Sequence, residues 1–386
     1  MKRLYRFAIT VLAACITTGA GAGVFGEDSA AKPVKVALVL PFNVSSGSED
    51  VNYMDFYAGT LLAAKKLKEN GEDITLKVMD INEFKRSEDR DSLFADFSLI
   101  IGPVACRQQE EVVGIYSTYD IPIISPMDQE SAVHIDGNNC FFQIPASLET
   151  QIDNLVESVE NGPEGPVTVF YSNATESDRK WMDLVEKALE KRAIAYEKTT
   201  YDVHSGRVIF ERFGRTMALP EGKTNKVIIA SENVAFASDV VRNMALIIHS
   251  GIPVSVYGSP RLRNLNTIDS EVLYTVNFHT STPYFVDYED EATIAFIHSF
   301  RDYFDAEPTP YAFQGYDILT YFAGLICEMG SNFRDFIEYY PMDLLQNSFR
   351  MKQKESEKEE IANGFYNSAT RCIEYTPDGR TVIRKF

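Results

Sequence analysis

From residue 33 onward the chain alternates between two patterns of apolar and polar positions. Nearly continuous apolar runs occupy 34–42 (VKVALVLPF), 74–81, 97–104, 121–125 and 140–144, and each predicts a buried strand. Stretches with helical spacing separate them. In 54–70, Phe56, Ala63 and Leu67 share one side, Tyr57, Leu61 and Ala64 flank them, and Gly71 ends the helix. Another helix is predicted over 105–119. The pattern restarts near residue 147. Leu148, Ile152, Leu155, Val156 and Val159 keep helical spacing, and so do Trp181, Val185, Ala188 and Arg192. Strands are predicted at 167–171, 194–201, 226–231 and 253–258. The clearest helix carries Ala237, Val240, Val241, Met244, Ile247 and Ile248 and closes at Gly251. Helices over 291–304 and 311–329 follow. A hairpin is predicted at 370–375 and 381–385 around Pro377-Asp378-Gly379. The run 352–360, dense in both signs, reads as a solvated loop or helix face. Apolar strands separated by amphipathic helices predict an α/β protein with parallel sheets covered on both faces. The restart predicts two such units.

The first residues form a different pattern. Lys2, Arg3 and Arg6 precede an apolar stretch, 7–16, too short to span a bilayer, and small residues follow. This is an export signal with two readings. Ala20-Gly21-Ala22 suits cleavage after residue 22. Leu12-Ala13-Ala14-Cys15 suits cleavage after residue 14, with Cys15 lipidated. Export places the chain in the periplasm or cell envelope, lipid-anchored on the second reading. That compartment permits disulfides. Cys106, Cys140, Cys327 and Cys372 allow three pairings, with buried free thiols as the alternative.

Charge and missing motifs narrow the function. A formal charge of −19 argues against nucleic acid and anionic membrane surfaces as partners. The chain has no Gly-Lys-Ser/Thr phosphate loop, no GxGxxG after the first strand, no GxSxG and no HExxH. Its five histidines, at 134, 204, 249, 279 and 298, are scattered. No metal, cofactor or catalytic residue is expected.

One stretch carries a more specific signal. LIIGPVACRQQEEVVGIYSTYDIPIISPM, residues 99–127, has two strands one helix apart, each ending at a proline beside a small residue. With VALVLPF and DFYAGTLLAAKKLKENG, it resembles the type I periplasmic binding protein family, on the branched-chain amino-acid receptor side. The opening and the ending NGFYN…IEYTPDGR are also similar to envelope homologues of Bacteroidetes-like bacteria, here without a LysM module. The resemblance covers about 33–386. It implies two doubly wound lobes with a hinge, a ligand trapped in the cleft between them, and no chemistry. Lobe 1 is expected to hold 33–145 plus 276–340, and lobe 2 to hold 146–275 plus 341–386. The chain is expected to cross between lobes near 144–146 and 275–282.

Ligands of open α/β sheets sit beyond the carboxyl ends of the strands, which explains the paired Gly-Pro and Ser-Pro turns, and the helix that starts near Ala105 is expected to point its free backbone N–H groups at the cleft and favour an anion. In the family these turns hold the α-carboxylate and amine of an amino acid. By position the matching residues are Val104, Ala105, Cys106, Ser125 and Met127, with Tyr171, Ser231, Glu232, Ser259 and Arg261 on lobe 2. The chain departs from the family at Cys106, Arg107, Met127, Asp128 and Arg261. A branched-chain amino-acid site is therefore not expected. Arg107 and Arg261 predict an anionic ligand gripped by two guanidinium groups, while Glu232 or Asp128 would hold an amine. Cys106 and Cys140, on the same lobe, are expected to be close and to pair. The resulting expectation is an exported solute-binding protein for an amino acid or other carboxylate, with a membrane permease or envelope protein as partner. The alternative is an envelope scaffolding protein with a vestigial cleft.

Overall fold

The computed structural model describes residues 33–42, 51–81, 94–110, 113, 118–201, 203, 222–356 and 362–385. The expected export signal and the lipidation candidate Cys15 lie outside the described residues. Two seven-stranded sheets organise the rest.

The first sheet begins with β1 (Val34–Leu40), helix α1 (Val51–Glu69) and β2 (Ile74–Asp80). It continues through β3 (Leu99–Ile101), the helical turn α2 (Cys106–Gln109), β4 (Ile123–Ser125) and β5 (Phe141–Gln143). The inner strands pair in parallel, and β1, β3, β4 and β5 lie almost wholly out of solvent. This burial accounts for their continuous apolar sequence. Of the helix predicted over 105–119, only part lies among the described residues.

The second sheet starts after helix α3 (Leu148–Glu160), which packs on α4 (Glu176–Lys191). It contains β6 (Val167–Tyr171), β7 (Tyr196–Thr199), β8 (Asn225–Ala230), helix α5 (Val234–His249) and β9 (Val254–Gly258). The apolar face of α5 sinks Phe236, Val240, Val241, Met244 and Ile247 into a core shared with Val227, Val256 and Phe278. Helix α6 (Ser270–Thr275) leads to β10 (Phe278–Thr282). Helices α7 (Glu291–Phe304) and α8 (Pro310–Met329) return to the first lobe, where α8 lies along α1. Gly59 and Gly315 allow that approach. A Cβ on Gly59 would stand 1.8 Å from the Ala312 carbonyl oxygen, and one on Gly315 would stand 2.1 Å from that of Phe56. The short α9 (Phe333–Phe336), β11 (Met342–Asp343) and β12 (Ser348–Phe349) precede the tail strands β13 (Met351–Gln353), β14 (Phe365–Asn367), β15 (Arg371–Tyr375) and β16 (Thr381–Lys385).

The strand orders are β13-β14-β5-β4-β3-β1-β2 and β16-β15-β10-β9-β8-β6-β7. They differ from the expected lobe boundaries in two ways. Residues 278–282 were expected in a crossing toward lobe 1, but β10 is a strand of the second sheet, parallel to β9. Its sequence, FHTST, hides this because its hydroxyls are buried and paired. Thr280 Oγ1 donates to the Gly258 carbonyl at 2.8 Å. The tail was expected in lobe 2, but it is divided. Phe365 stacks on Phe142 at 4.6 Å and draws β14 beside β5, while β15 and β16 form the predicted hairpin on the second sheet. Among the described residues the chain therefore crosses between sheets three times, at 144–147, 283–290 and 368–370.

The third crossing is anchored by Arg371, 1% exposed and the largest fully buried side chain among the described residues. Its guanidinium donates to the carbonyls of Phe285, Leu344, Leu345 and Asn347. Asp317, from α8, accepts from the backbone N–H groups of Leu345, Gln346 and Asn347. Segment 344–347 is thus held between a buried cation and a buried anion.

Within the second sheet, His279 stacks on Tyr257 at 4.5 Å, with Glu374 at 3.9 Å. Burial, reinforced by Arg384, pushes its pKa down to about 3. The unfolded chain takes up this proton near pH 6.5 and the folded one does not, so the stability His279 supports is lost as pH falls from 6.5 toward 3. His279→Gln is expected to remove a slope of up to about 1.4 kcal/mol per pH unit over that window. Urea denaturation of both proteins at pH 7, 5 and 4 reads the difference. That difference is the informative quantity because Asp317, raised to about 6 by burial, acts with the opposite sign. Parallel curves for the two proteins would refute the assignment.

Candidate functional site

Two clusters stand at the carboxyl ends of the two sheets. On lobe 1, β3 ends at Gly102, whose φ of +97° suits only glycine and whose missing Cβ would stand 2.1 Å from the Val39 carbonyl. Val104 is buried, Ala105, Cys106 and Met127 are half-buried, and Arg107 is exposed. Gln109, fully buried in the same turn, donates to the Pro103 carbonyl at 2.7 Å and to Ser125 Oγ at 2.9 Å. One side chain therefore locks the Gly-Pro turn to the Ser-Pro turn, and the Ser125 hydroxyl serves this lock.

The helical turn after Gly-Pro was expected to leave its backbone N–H groups for an anion. The structure corrects this. Asp128 Oδ2 accepts from the Cys106 N–H at 2.7 Å, and Oδ1 accepts from the Glu130 N–H at 2.9 Å. The chain supplies its own carboxylate because Asp128 follows the Ser-Pro turn by two residues. Cys106 Sγ lies 3.4 Å from His134 Nε2. Burial, then Asp128, Glu110 and Glu130, push its thiol pKa up.

The expected Cys106–Cys140 pairing is also corrected. Both are free, as are Cys327 and Cys372. Cys106 follows the carboxyl end of β3, whereas Cys140 precedes the amino end of β5 and meets Asp120 and Arg334 there. Parallel strands put these two positions at opposite ends of the sheet.

On lobe 2, Tyr171, Ser231, Glu232, Ser259 and Arg261 gather at the ends of β6, β8 and β9. Asp178, fully buried near the start of α4, organises them. It accepts from Ser231 Oγ at 2.6 Å, Ser172 Oγ at 3.1 Å and the Glu232 N–H at 3.1 Å, and it completes the capping box of α4 with Thr175. Burial raises its pKa, but the hydrogen bonds outweigh that and hold it below the ordinary carboxylate value. Glu232 accepts from Ser259 Oγ at 3.1 Å and pairs with Arg261 at 3.2 Å. Arg261 is largely exposed and already has a carboxylate partner, which weakens the expectation of two guanidinium groups on one anion.

Sequence reasoning missed the aromatic side of lobe 1. Tyr53 on α1 and Tyr311 on α8 meet edge to face, centroids 6.3 Å apart. Tyr284, in the second crossing, pairs with Asn347, and burial followed by the neighbouring Tyr311 raises its phenol pKa. Gln314, one turn along α8 from Tyr311, donates to the Pro126 carbonyl at 2.7 Å and accepts from Asn347 Nδ2 at 3.0 Å. These bonds tie α8 to the Ser-Pro turn at a position one helical turn from Tyr311. No local signal joins positions 53, 284 and 311; the packing of α1 on α8 joins the first and the last, and the bridge from Tyr284 to Asn347 adds the second.

A further groove of about 820 Å³ lies between the lobes, lined by Gln143, Tyr366 and Lys352 from one side and Asp153, Asn154 and Lys187 from the other. None of the expected site residues lines it.

The two-sheet architecture has structural parallels. A Rhodospirillum rubrum protein assigned to branched-chain amino-acid ABC transport superposes with a TM-score of 0.61 at 15% identity, covering 91% of this chain and all of the other. The fold is that of the type I periplasmic binding proteins. A branched-chain amino-acid ABC transporter periplasmic ligand-binding protein from Burkholderia xenovorans has a TM-score of 0.56 at 10% identity, covering 92% of this chain and 95% of its own. An ABC transporter substrate-binding protein from Desulfitobacterium hafniense, in complex with Leu, has a TM-score of 0.52 at 15% identity, covering 92% and 100%. No protein-family model and no curated relative matches the chain. Among the described residues, no helix is long and apolar enough to cross a membrane, and no group of three or more ligating side chains is placed to hold a metal ion.

Proposed function

We propose that the chain is an exported, non-catalytic solute-binding protein. It traps a small ligand, an amino acid or related carboxylate, between its lobes and presents it to a membrane permease from the periplasm or cell envelope. The observation that carries this reading is the pair of side-chain clusters at the carboxyl ends of two sheets joined by three crossings, where open α/β sheets take their ligands. Val104, Ala105, Cys106, Arg107, Ser125 and Met127 supply one side, and Tyr171, Ser231, Glu232, Ser259 and Arg261 the other. The division of the chain into lobes and the lipid anchor at Cys15 belong to the same proposal. A ligand at a hundredfold its Kd adds about 2.7 kcal/mol to folding stability. A thermal-shift panel of amino acids, carboxylates and amines is therefore expected to contain at least one stabilising compound. A second reading, an envelope scaffolding protein with a vestigial cleft, draws support from Asp128 and Glu232, which already occupy the Cys106 N–H and Arg261. A panel with no stabilising compound would favour that reading over the first.

A further inference from the structure

Two of the three features expected to receive an anion are taken by carboxylates of the chain itself: the Cys106 N–H by Asp128, and Arg261 by Glu232. Arg107, exposed on the helical turn after Gly-Pro, is the remaining guanidinium of the expected set, and Glu110 and Glu130 lie near that turn. The chain as a whole carries −19. Three tyrosines from three separate elements are linked near one point of α8: Tyr53 meets Tyr311 edge to face, and Tyr284 bridges to Asn347, which donates to Gln314 one turn from Tyr311. Tyr53 and Tyr311 are half-buried, and Tyr284 keeps 41% of its surface exposed. Tyrosine ring faces carry partial negative charge and attract cations, most strongly where water is partly excluded.

We infer that Tyr53, Tyr284 and Tyr311 form an aromatic wall that receives the ammonium group of an organic cation, and that the ligand is recognised by this group rather than by a carboxylate. The inference rests on the solute-binding reading and, within it, replaces recognition through a carboxylate by recognition through an ammonium group. Charge separates this occupant from the alternatives. An apolar side chain would gain contact with the same rings but nothing from the chain's formal charge of −19. A dicarboxylate would meet Asp128 and Glu232 with no free guanidinium pair to offset them. The rings stay in place without a ligand because Gln314 fixes α8 to the Pro126 carbonyl and to Asn347, the partner of Tyr284.

The test is calorimetric titration of the full mature chain with choline, glycine betaine, leucine and succinate. Choline or glycine betaine is expected to bind. Tyr311→Leu is expected to raise the Kd about tenfold or more, the size of a lost cation–ring contact in a partly desolvated site. Tyr311→Phe, which keeps the ring, is expected to stay within about threefold of the parent on the same grounds. Tyr339→Leu, altering a ring that is 78% exposed and lies outside the wall, is expected to leave binding unchanged. Matching melting midpoints among the variants exclude a folding defect. Leucine or succinate binding while neither ammonium compound binds overturns this inference and leaves the solute-binding reading standing. Ammonium binding that is indifferent to Tyr311→Leu also overturns it. No binding by any of the four overturns it as well, and the wider thermal-shift panel then judges the solute-binding reading separately.

Discussion

Replacing Arg371 by Met is expected to cost about 3–5 kcal/mol of folding stability, the scale for removing one side of a buried polar network. The four carbonyls that Arg371 satisfies belong to the second crossing and to segment 344–347. Methionine fills much of the volume but donates nothing, so those oxygens stay buried without their partner. Asp317 then faces segment 344–347 without the opposing cation. Arg371→Lys keeps the charge but concentrates its donors on one nitrogen, which cannot reproduce the fork. An intermediate loss is expected for it. Equilibrium urea unfolding at pH 7 measures both. A loss below about 1 kcal/mol for Arg371→Met, within the range of ordinary surface substitutions, would mean that the crossing does not depend on this residue.

The second large effect is expected at Asp178. Asp178→Ala removes the acceptor of two buried hydroxyls and of the Glu232 N–H, and it breaks the capping box of α4. A lost cap costs about 1 kcal/mol and each of the three stranded donors about 1–3 kcal/mol, so a total of about 4 kcal/mol or more is expected. The folded-state pKa of Asp178 lies below its unfolded value, so its contribution is present above the ordinary carboxylate range and disappears as pH falls through the folded pKa. Denaturation of parent and variant at pH 7 and pH 3 should therefore show a gap that narrows in acid. A gap that widened would contradict the depressed pKa. Because Asp178 positions Ser231 and the Glu232 backbone, the variant is also expected to weaken binding of any ligand that stabilises the parent.

Strands β1, β3, β4 and β5 were legible because parallel strands buried on both faces need unbroken apolar runs. Helices α5, α7 and α8 were legible from their period. The Gly-Pro and Ser-Pro turns were legible as strand ends. Strand β10 was not, because its buried hydroxyls read as polar surface. Asp178 was not singled out, because one aspartate near a helix start looks like any cap. The roles of Asp128 and Arg261 came out differently from expectation. A carboxylate near a cleft is a ligand partner or a partner of the chain itself, and the choice depends on distances that spacing does not encode.

By itself the sequence determined the class of this protein: an alternation of buried strands and amphipathic helices that restarts once, with turns that set two proline-ended strands side by side. Those features are local, since burial writes its period into neighbouring residues. The tertiary structure alone decided which charges remain available, how the tail divides between the sheets, and which rings converge. Arg371 meets carbonyls 24 to 86 residues away in the chain, and Tyr53 meets Tyr311 across two helices. Such pairings follow from packing the whole chain, in which a buried donor takes whatever acceptor the fold brings within reach.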